Sequence, residues 1–183
     1  MIFLEGKSRL FDSGDISRVI KRIAHEISER NGSLEDIVIM GIKTRGIPFA
    51  HRLSDCIYEK IDSSFHIPVG ELNISDFRDD VDKKNVSAKN AGIFPVDITD
   101  KIVILADDVI FTGRTVRAAL DAVMSFGRPS KIQLAVLVDR GHRELPIRAD
   151  YIGKNVPTSH REIVKVAFSE TDGEDYIDLI RGV

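Results

Sequence analysis

At 183 residues, with 43% hydrophobic and 30% charged residues, the chain has the composition of a globular protein that buries a core in one domain, residues 1–183. A formal net charge of −3, from 26 Lys and Arg against 29 Asp and Glu, gives no overall indication of nucleic-acid binding, although an acidic run at 170–178 offsets basic segments upstream. The single cysteine, Cys56, excludes an internal disulfide, and no apolar run resembles a signal peptide or membrane span, so we expect a cytoplasmic protein without membrane contact.

The first predicted element is an amphipathic helix over residues 15–30, which Asn31-Gly32 ends. Its apolar residues recur at helical spacing: Ile16, Val19, Ile20, Ile23 and Ile27. The other side of the helix carries Arg18, Lys21, Arg22 and His25. Taken alone, these polar side chains indicate a solvated helix face.

A strand, a basic loop and a second helix follow. Residues 36–42 form an apolar run, 43–46 a loop, and 47–61 a helix that tolerates Pro48 in its first turn. Lys43, Arg45 and the amides near Gly46 are donors that suit a pyrophosphate. A plain surface turn is the alternative for this loop alone.

A third strand is predicted over 67–74, and the periodic pattern is then lost. Residues 75–92 are rich in Asp, Lys and Arg and show no helical or strand period. A long polar segment of this kind is either disordered surface or a functional lid. We predict a flexible lid loop, because a water-sensitive reaction requires a segment that can close over it.

The central unit of the sequence joins a buried strand to an acidic pair. Residues 102–106 are an unbroken apolar run, which we expect to end at Asp107 and Asp108. A Thr/Gly loop leads into a helix over 116–126. Its amides can receive a phosphate while the carboxylates accept hydrogen bonds from ribose hydroxyls. Helix capping is the competing explanation for Asp and Thr at such a turn.

The remaining strands are predicted at 131–138, 149–152, 162–168 and 176–180. Repeated strand–helix units with apolar strands indicate an α/β protein. We expect an open, mostly parallel twisted sheet flanked by helices, with ligands bound at the carboxyl ends of the strands.

Six segments resemble one protein family. They are 41–46, 77–80, 95–99, 107–115, 138–151 and 153–159. Together they resemble the PyrR family, bacterial pyrimidine-operon attenuators that bind RNA and also act as uracil phosphoribosyltransferases with the type I fold. The 107–115 signature alone indicates an enzyme that uses 5-phosphoribosyl-1-pyrophosphate (PRPP), whereas the 138–159 block points to this family.

The resemblance implies a set of PRPP-binding residues. They are Thr44, Arg45, Asp107, Asp108, Val109, Ile110, Phe111, Thr112, Gly113, Arg114 and Thr115. Asp107 and Asp108 would hold the ribose hydroxyls, residues 112–115 the 5′-phosphate, and Thr44 with Arg45 the pyrophosphate. Arg78 would close over the site, so Arg45, Arg78 and the two Asp residues are the expected catalytic set. Phe77 and Phe111 stand where many relatives have Tyr, so only packing or stacking remains there.

The implied reaction transfers ribose 5-phosphate from PRPP to uracil, giving UMP and diphosphate. Mg²⁺ would arrive with PRPP, and we expect no metal site built by the protein alone and no nucleophile. Base choice is expected to depend on backbone contacts near residues 151–155. A phosphoribosyltransferase for a different base remains an alternative.

An RNA-binding surface is predicted from two basic segments. Residues 139–161 carry five Lys and Arg against three Asp and Glu, and residues 18–30 carry four against two. If these segments are neighbours, they form a basic strip suited to RNA. The family resemblance associates RNA with Arg22, His25, Thr44, His142, Arg143 and Lys154, whereas Arg140 and Arg148 are expected to serve structure.

The expected partners are PRPP, uracil, UMP or UTP and the leader mRNA of a pyrimidine operon. A homodimer or higher homo-oligomer is expected. A salvage enzyme without RNA regulation is the main alternative, and RNA binding with and without UMP would separate the two.

Overall fold

The computed structural model describes residues 4–78 and 92–182. The helices are α1 (Ser13–Asn31), α2 (Gly46–Lys60), α3 (Arg114–Phe126) and α4 (Ser169–Asp172). The strands are β1 (Leu4–Phe11), β2 (Ile37–Ile42), β3 (Val69–Leu72), β4 (Gly92–Ile93), β5 (Ile102–Ile110), β6 (Lys131–Asp139), β7 (Tyr151–Asn155), β8 (Ile163–Ala167) and β9 (Tyr176–Gly182). Most of the predicted lid, residues 79–91, lies outside the described ranges.

The main sheet has six strands in the order β4-β3-β2-β5-β6-β7. All neighbouring pairs are parallel except β3 with β4, which is antiparallel. The central strands β2 and β5 are paired in register from Ile37 with Ile102 to Gly41 with Ala106. Their apolar runs are explained by burial on both faces. The predicted open, mostly parallel α/β sheet is therefore confirmed.

Helices cover both faces of this sheet. Ile104 of β5 packs in one cluster with the apolar residues of α1 and α2, while its neighbour Leu105 packs in a second cluster with those of α3. This alternation follows from the strand period of two. The carboxyl edge of the sheet, where β2, β3, β5 and β6 end, is left for the connecting loops.

A second sheet of three antiparallel strands, in the order β1-β9-β8, was not predicted. The sequence did indicate strands at the positions of β8 and β9, but their place outside the main sheet was missed. β1 was missed entirely, because Lys7-Ser8-Arg9 gives no apolar run and its partner β9 lies about 170 residues away. Long-range pairing of this kind leaves no local signal in a sequence.

Several predicted boundaries differ from the structure by two or more residues, and two of the differences have clear local reasons. Helix α1 begins at Ser13, two residues early, because Asp12 caps it and forms a reciprocal capping box with Asp15. Strand β5 does not end at Ala106 but continues to Ile110, because its pairing with β6 extends beyond the acidic pair. Among the residues with described structure, no helix is long and apolar enough to cross a membrane.

Candidate functional site

Loops that follow β2, β3 and β5 meet around one cavity of about 540 Å³ at the carboxyl edge of the main sheet. Its lining consists of Lys43, Thr44, Asn73, Ile74, Ser75, Arg78, Asp107, Asp108, Val109 and Thr115. Seven of these residues were predicted for PRPP or its diphosphate from three separate segments of the sequence. Three others, Asn73, Ile74 and Ser75, were not named as site residues, because the strand was predicted to run to residue 74 whereas β3 ends at Leu72, and Ser75 was assigned only to the lid.

The acidic pair lines this cavity from the last four residues of β5. Asp107 is 6% exposed, and its Oδ1 accepts a hydrogen bond of 3.0 Å from the backbone amide of Asp108. The Asp108 carboxylate accepts one of 2.9 Å from the amide of Val109. Burial, reinforced by the neighbouring Asp108 charge, raises the pKa of Asp107 well above its usual range. Burial also raises the pKa of Asp108, against the opposing effect of Arg45. The pair is therefore well placed for hydroxyl or cation ligands that relieve this cost.

The predicted phosphate loop connects β5 to α3. Gly113 precedes α3 with φ 95°, a left-handed conformation that favours glycine, and the amide of Arg114 donates to the Thr112 hydroxyl at 3.4 Å. Helix α3 then begins at Arg114 and runs for 13 residues, with its positive end at the loop. Thr115 lines the cavity, whereas the Arg114 side chain lies against Glu144 at 2.8 Å.

The second basic loop, residues 43–46, is fitted tightly against β5. A Cβ at Gly46 would stand 2.2 Å from the carbonyl oxygen of Ala106, and one at Gly41 would stand 2.6 Å from the Cα of Ile47. Glycine at both positions lets the loop approach the acidic pair. The peptide between Lys43 and Thr44 is cis. Both residues line the cavity.

Arg45 has a different environment from its two neighbours in this loop. It is not among the residues that line the cavity. Its Nη2 and Nε donate to the carboxylate of Asp172 in α4 at 2.7 and 3.1 Å. The predicted pyrophosphate arginine is thus held by a carboxylate of the helix that connects β8 to β9.

A segment after β6 braces the phosphate loop. The amides of Glu144 and Leu145 both donate to the carbonyl of Thr112, at 3.0 and 3.2 Å. Arg143 Nη1 donates to the carbonyl of Phe111 at 2.6 Å, and its Nη2 pairs with Asp139. Arg143 was predicted to contact RNA. In the structure its guanidinium is largely engaged inside the protein, and the RNA role stays a prediction.

Arg140 has the structural role that was predicted for it. It is 8% exposed, and its Nη2 donates to the carbonyl oxygens of Ser159 and Glu162 at 3.2 and 2.6 Å. Its guanidinium also lies 4.0 Å from the centroid of the Phe111 ring. Arg148 is exposed, and the structure gives it no comparable role.

Two histidines pack against the Phe111 ring. The rings of His142 and His160 are 4.0 Å apart, and the Phe111 ring meets His142 edge-on at 5.8 Å. His142 Nε2 donates to the carbonyl of Thr158. Phe111 therefore packs among aromatic and cationic groups, consistent with the packing role expected of it.

The two basic segments are neighbours, as the predicted basic strip requires. Arg22 Nη2 donates to the carbonyls of Ile152 and Gly153 at 2.8 and 2.7 Å, which ties α1 to β7. Lys154, next along β7, is exposed, and His25 is half-buried. Thr44 belongs to the cavity rather than to these two elements.

The expectation that base choice depends on backbone contacts near residues 151–155 stays a prediction, and the side chain of Tyr151 is buried away from any such contact. This side chain is 2% exposed, and its hydroxyl lies between Asn31 Nδ2 at 3.0 Å and Gln133 Oε1 at 3.1 Å. It belongs to the core beneath α1, where it cannot meet a substrate.

The acidic pair can hold a metal ion only with help from a ligand. Within the described ranges, no group of three or more His, Cys, Asp or Glu side chains is placed to bind one. Mg²⁺ typically takes one or two protein carboxylates and completes its shell with water and substrate phosphates. Asp107 and Asp108 fit this pattern, since both line the cavity and both carry carboxylates in surroundings that favour neutralisation.

Comparisons with known proteins agree with this geometry. The phosphoribosyl transferase domain family matches residues 6–169. The bifunctional protein PyrR of Oceanobacillus iheyensis is 55% identical over 179 residues, covering 96% of this chain and 98% of that protein. Its counterpart in Clostridioides difficile is 53% identical over 174 residues, covering 94% and 97%.

Solved structures show the same fold at low identity. A hypoxanthine-guanine phosphoribosyltransferase of Bacillus anthracis aligns with a TM-score of 0.68 and 19% identity, over 98% of this chain and 99% of that one. The hypoxanthine phosphoribosyltransferase of Trypanosoma cruzi aligns with a TM-score of 0.67 and 20% identity, over 96% and 97%.

Proposed function

Because the chain belongs to the phosphoribosyl transferase domain family, and within it to the bifunctional PyrR proteins, we propose that it joins a transferase activity to RNA binding. In the first activity it transfers ribose 5-phosphate from PRPP to uracil and releases diphosphate. In the second it binds the leader mRNA of a pyrimidine operon in response to UMP or UTP. A cytoplasmic location and a homodimeric or higher assembly form part of this proposal.

The observation that carries the proposal is the shared cavity at the carboxyl edge of β2, β3 and β5. It brings an acidic pair, a Thr/Gly loop at a helix N-terminus and a basic loop to one place. A phosphorylated sugar with a diphosphate leaving group requires these three kinds of partner.

Each loop has a distinct task in this transfer. Asp107 and Asp108 accept hydrogen bonds from the ribose hydroxyls, and residues 112–115 hold the 5′-phosphate. Thr44 and Arg45 serve the diphosphate side, and Arg78, which also lines the cavity, closes over it. Mg²⁺ bound with PRPP supplies charge neutralisation at the leaving diphosphate. The protein orients the reactants and excludes water, and the uracil nitrogen attacks the anomeric carbon directly.

The RNA-binding half of the proposal rests on the strip formed by α1 and β7. Arg22, His25 and Lys154 lie on these two packed elements, and His142 with Arg143 lies on the segment that braces the phosphate loop. RNA phosphates and unpaired bases are the partners that such a surface suits. Thr44 links the two functions, because it lines the nucleotide cavity.

The test is a direct assay for UMP. Purified protein is incubated with PRPP, Mg²⁺ and radiolabelled uracil, with cytosine, hypoxanthine and guanine as competing bases in parallel reactions. The proposal expects UMP and diphosphate in equal amounts, only when Mg²⁺ is present. Transfer to a purine in place of uracil would assign the site to a different base, and no nucleotide product with any base would refute the activity.

A salvage enzyme without RNA regulation is the second candidate. The grouping of parts of all three PRPP loops around one cavity favours it equally. The two candidates differ only in whether leader RNA binds.

A further inference from the structure

The short helix α4 of the second sheet reaches the loop that precedes α2. The Asp172 carboxylate there accepts two hydrogen bonds from Arg45, with Oδ1 paired to Nη2 at 2.7 Å and Oδ2 to Nε at 3.1 Å. This two-pronged geometry fixes the direction of a guanidinium as well as its distance. The Arg45 guanidinium holds the pKa of Asp172 well below its usual range, so this carboxylate is charged at neutral pH.

The Asp172 carboxylate also accepts hydrogen bonds from neighbouring residues of its own segment. Its Oδ2 accepts a hydrogen bond of 3.2 Å from the amide of Phe168 and one of 2.7 Å from the hydroxyl of Thr171. Only 17% of its side chain is exposed. The position of the carboxylate is therefore set by two donors of its own segment as well as by Arg45.

Arg45 lies in the middle of its loop, between two residues that are themselves close to the site. It lies between Thr44, which lines the cavity, and Gly46, whose backbone is pressed against Ala106 of β5. The main sheet thus holds the loop at Gly46, and the second sheet holds it one residue earlier. Without Asp172 the loop would keep the contact at Gly46 and the hydrogen bond from the Lys43 amide to the carbonyl of Leu72 at 3.0 Å, but the Arg45 side chain between them would lose its carboxylate partner.

We propose that Asp172 is a positioning residue for the loop 43–46, which it fixes through Arg45 in the conformation that receives a diphosphate. This inference rests on the proposed function, and it assigns to the second sheet a part in shaping the substrate site. Asp172 does not line the cavity. Its effect is exerted on binding through the geometry of the loop.

Charge and geometry predict opposite effects when Asp172 is changed. Asp172→Asn removes a negative charge close to the diphosphate side, and this alone would tighten the binding of an anion. Loss of the anchor would weaken the binding of the anion, because part of the binding energy would then be used to order the loop. A role in positioning therefore requires weaker binding despite the more favourable charge.

The experiment measures the Kd of Mg-pyrophosphate by calorimetry for the full-length wild type, Asp172→Asn, Arg45→Ala and the double variant. We expect Asp172→Asn to raise this Kd, and the KM for PRPP, about 10-fold with a smaller change in kcat. The double variant should bind no more weakly than Arg45→Ala alone, because the two residues act as one unit.

Asp175→Asn is the matched control. Asp175 pairs with Arg52 of α2 at 2.7 Å, so it ties α2 to the chain just beyond α4 without contacting the loop 43–46. The Kd of Asp175→Asn for Mg-pyrophosphate should stay within about 2-fold of the wild-type value, even if its Tm falls as much as that of Asp172→Asn. Equal weakening in both variants would show general loosening and overturn the inference.

Wild-type or tighter binding by Asp172→Asn would also overturn it, while the proposed function would stand. A wild-type protein that binds neither Mg-pyrophosphate nor PRPP would instead refute the proposed function, and this inference with it.

Discussion

At the scale of single residues, Asp107 and Asp108 occupy surroundings that oppose their ionisation. Burial raises the pKa of both, and the neighbouring Asp108 charge adds to the effect at Asp107. A carboxyl group with a raised pKa in the folded state adds stability at low pH, and this stability is lost as the pH rises through the folded-state pKa. The charged pair therefore lowers the stability of the empty protein at neutral pH.

Asp107→Asn should accordingly make the protein more stable and less active. We expect a higher Tm than the wild type at pH 7.5, by about 2–4 °C for each kcal/mol of burial and repulsion cost that is removed, and a smaller difference at pH 5. We expect kcat/KM for UMP formation to fall about 10²-fold, because a contact to the ribose is lost. Calorimetric scans at the two pH values, with initial rates, test both. Normal rates together with a lowered Tm would contradict this assignment.

Arg143 and Lys154 should differ in the functions that they affect. Arg143 holds the carbonyl of Phe111, so Arg143→Ala should lower kcat/KM for UMP formation about 10-fold and also weaken RNA binding by on the order of 1–3 kcal/mol. Lys154 is exposed on β7, so Lys154→Ala should leave UMP formation unchanged and flatten the salt dependence of RNA binding by about one unit. Unchanged UMP formation in Arg143→Ala would show that the phosphate loop does not need this brace.

At the scale of elements, α4 and the residues around it join the second sheet to α2. Arg52 pairs with Glu170 at 2.6 Å and with Asp175 at 2.7 Å, and it lowers the pKa of both carboxyl groups. Groups with a lowered pKa add stability above their ordinary pKa values and lose it as the pH falls through the folded-state values. This junction should therefore weaken on acidification.

Arg52→Ala tests this contribution. We expect a lower Tm at pH 7 than in the wild type and a smaller loss of Tm between pH 7 and pH 3, since the two carboxyl groups would then titrate near their ordinary values. Thermal scans over this pH range give the comparison. A variant that loses as much Tm on acidification as the wild type would show that other groups govern the acid response.

The sequence predicts elements well where burial alone decides them. β2, β5 and β6 are apolar runs because both of their faces are covered, and α1 shows a clear helical period. β1 was beyond prediction, because it has no such pattern and pairs only with the distant β9. The acidic pair was found because two adjacent carboxylates at the predicted end of a buried strand are unfavourable there unless they bind a ligand. The ion pair between Arg45 and Asp172 was not predicted, because 127 residues separate the two in the sequence.

At the scale of the whole molecule, the cavity and the basic strip are joined by one segment of chain. Residues 139–148 contact the phosphate loop through Arg143, Glu144 and Leu145 and also carry His142. A nucleotide that orders the phosphate loop should therefore order this segment. Coupling of this kind is reciprocal, so RNA must tighten the binding of UMP by the same factor by which UMP tightens the binding of RNA.

The most direct test of the account is equilibrium filter binding of a uridine-rich leader hairpin, with and without saturating UMP, against a scrambled RNA of equal length. We predict tighter binding of the leader than of the scrambled RNA, and a further gain of about 5-fold or more with UMP, the lower end of ordinary coupling energies. The same gain should be absent in Asp107→Asn. Equal affinity for the two RNAs, whatever nucleotide is present, would contradict the account and leave the protein a salvage enzyme alone.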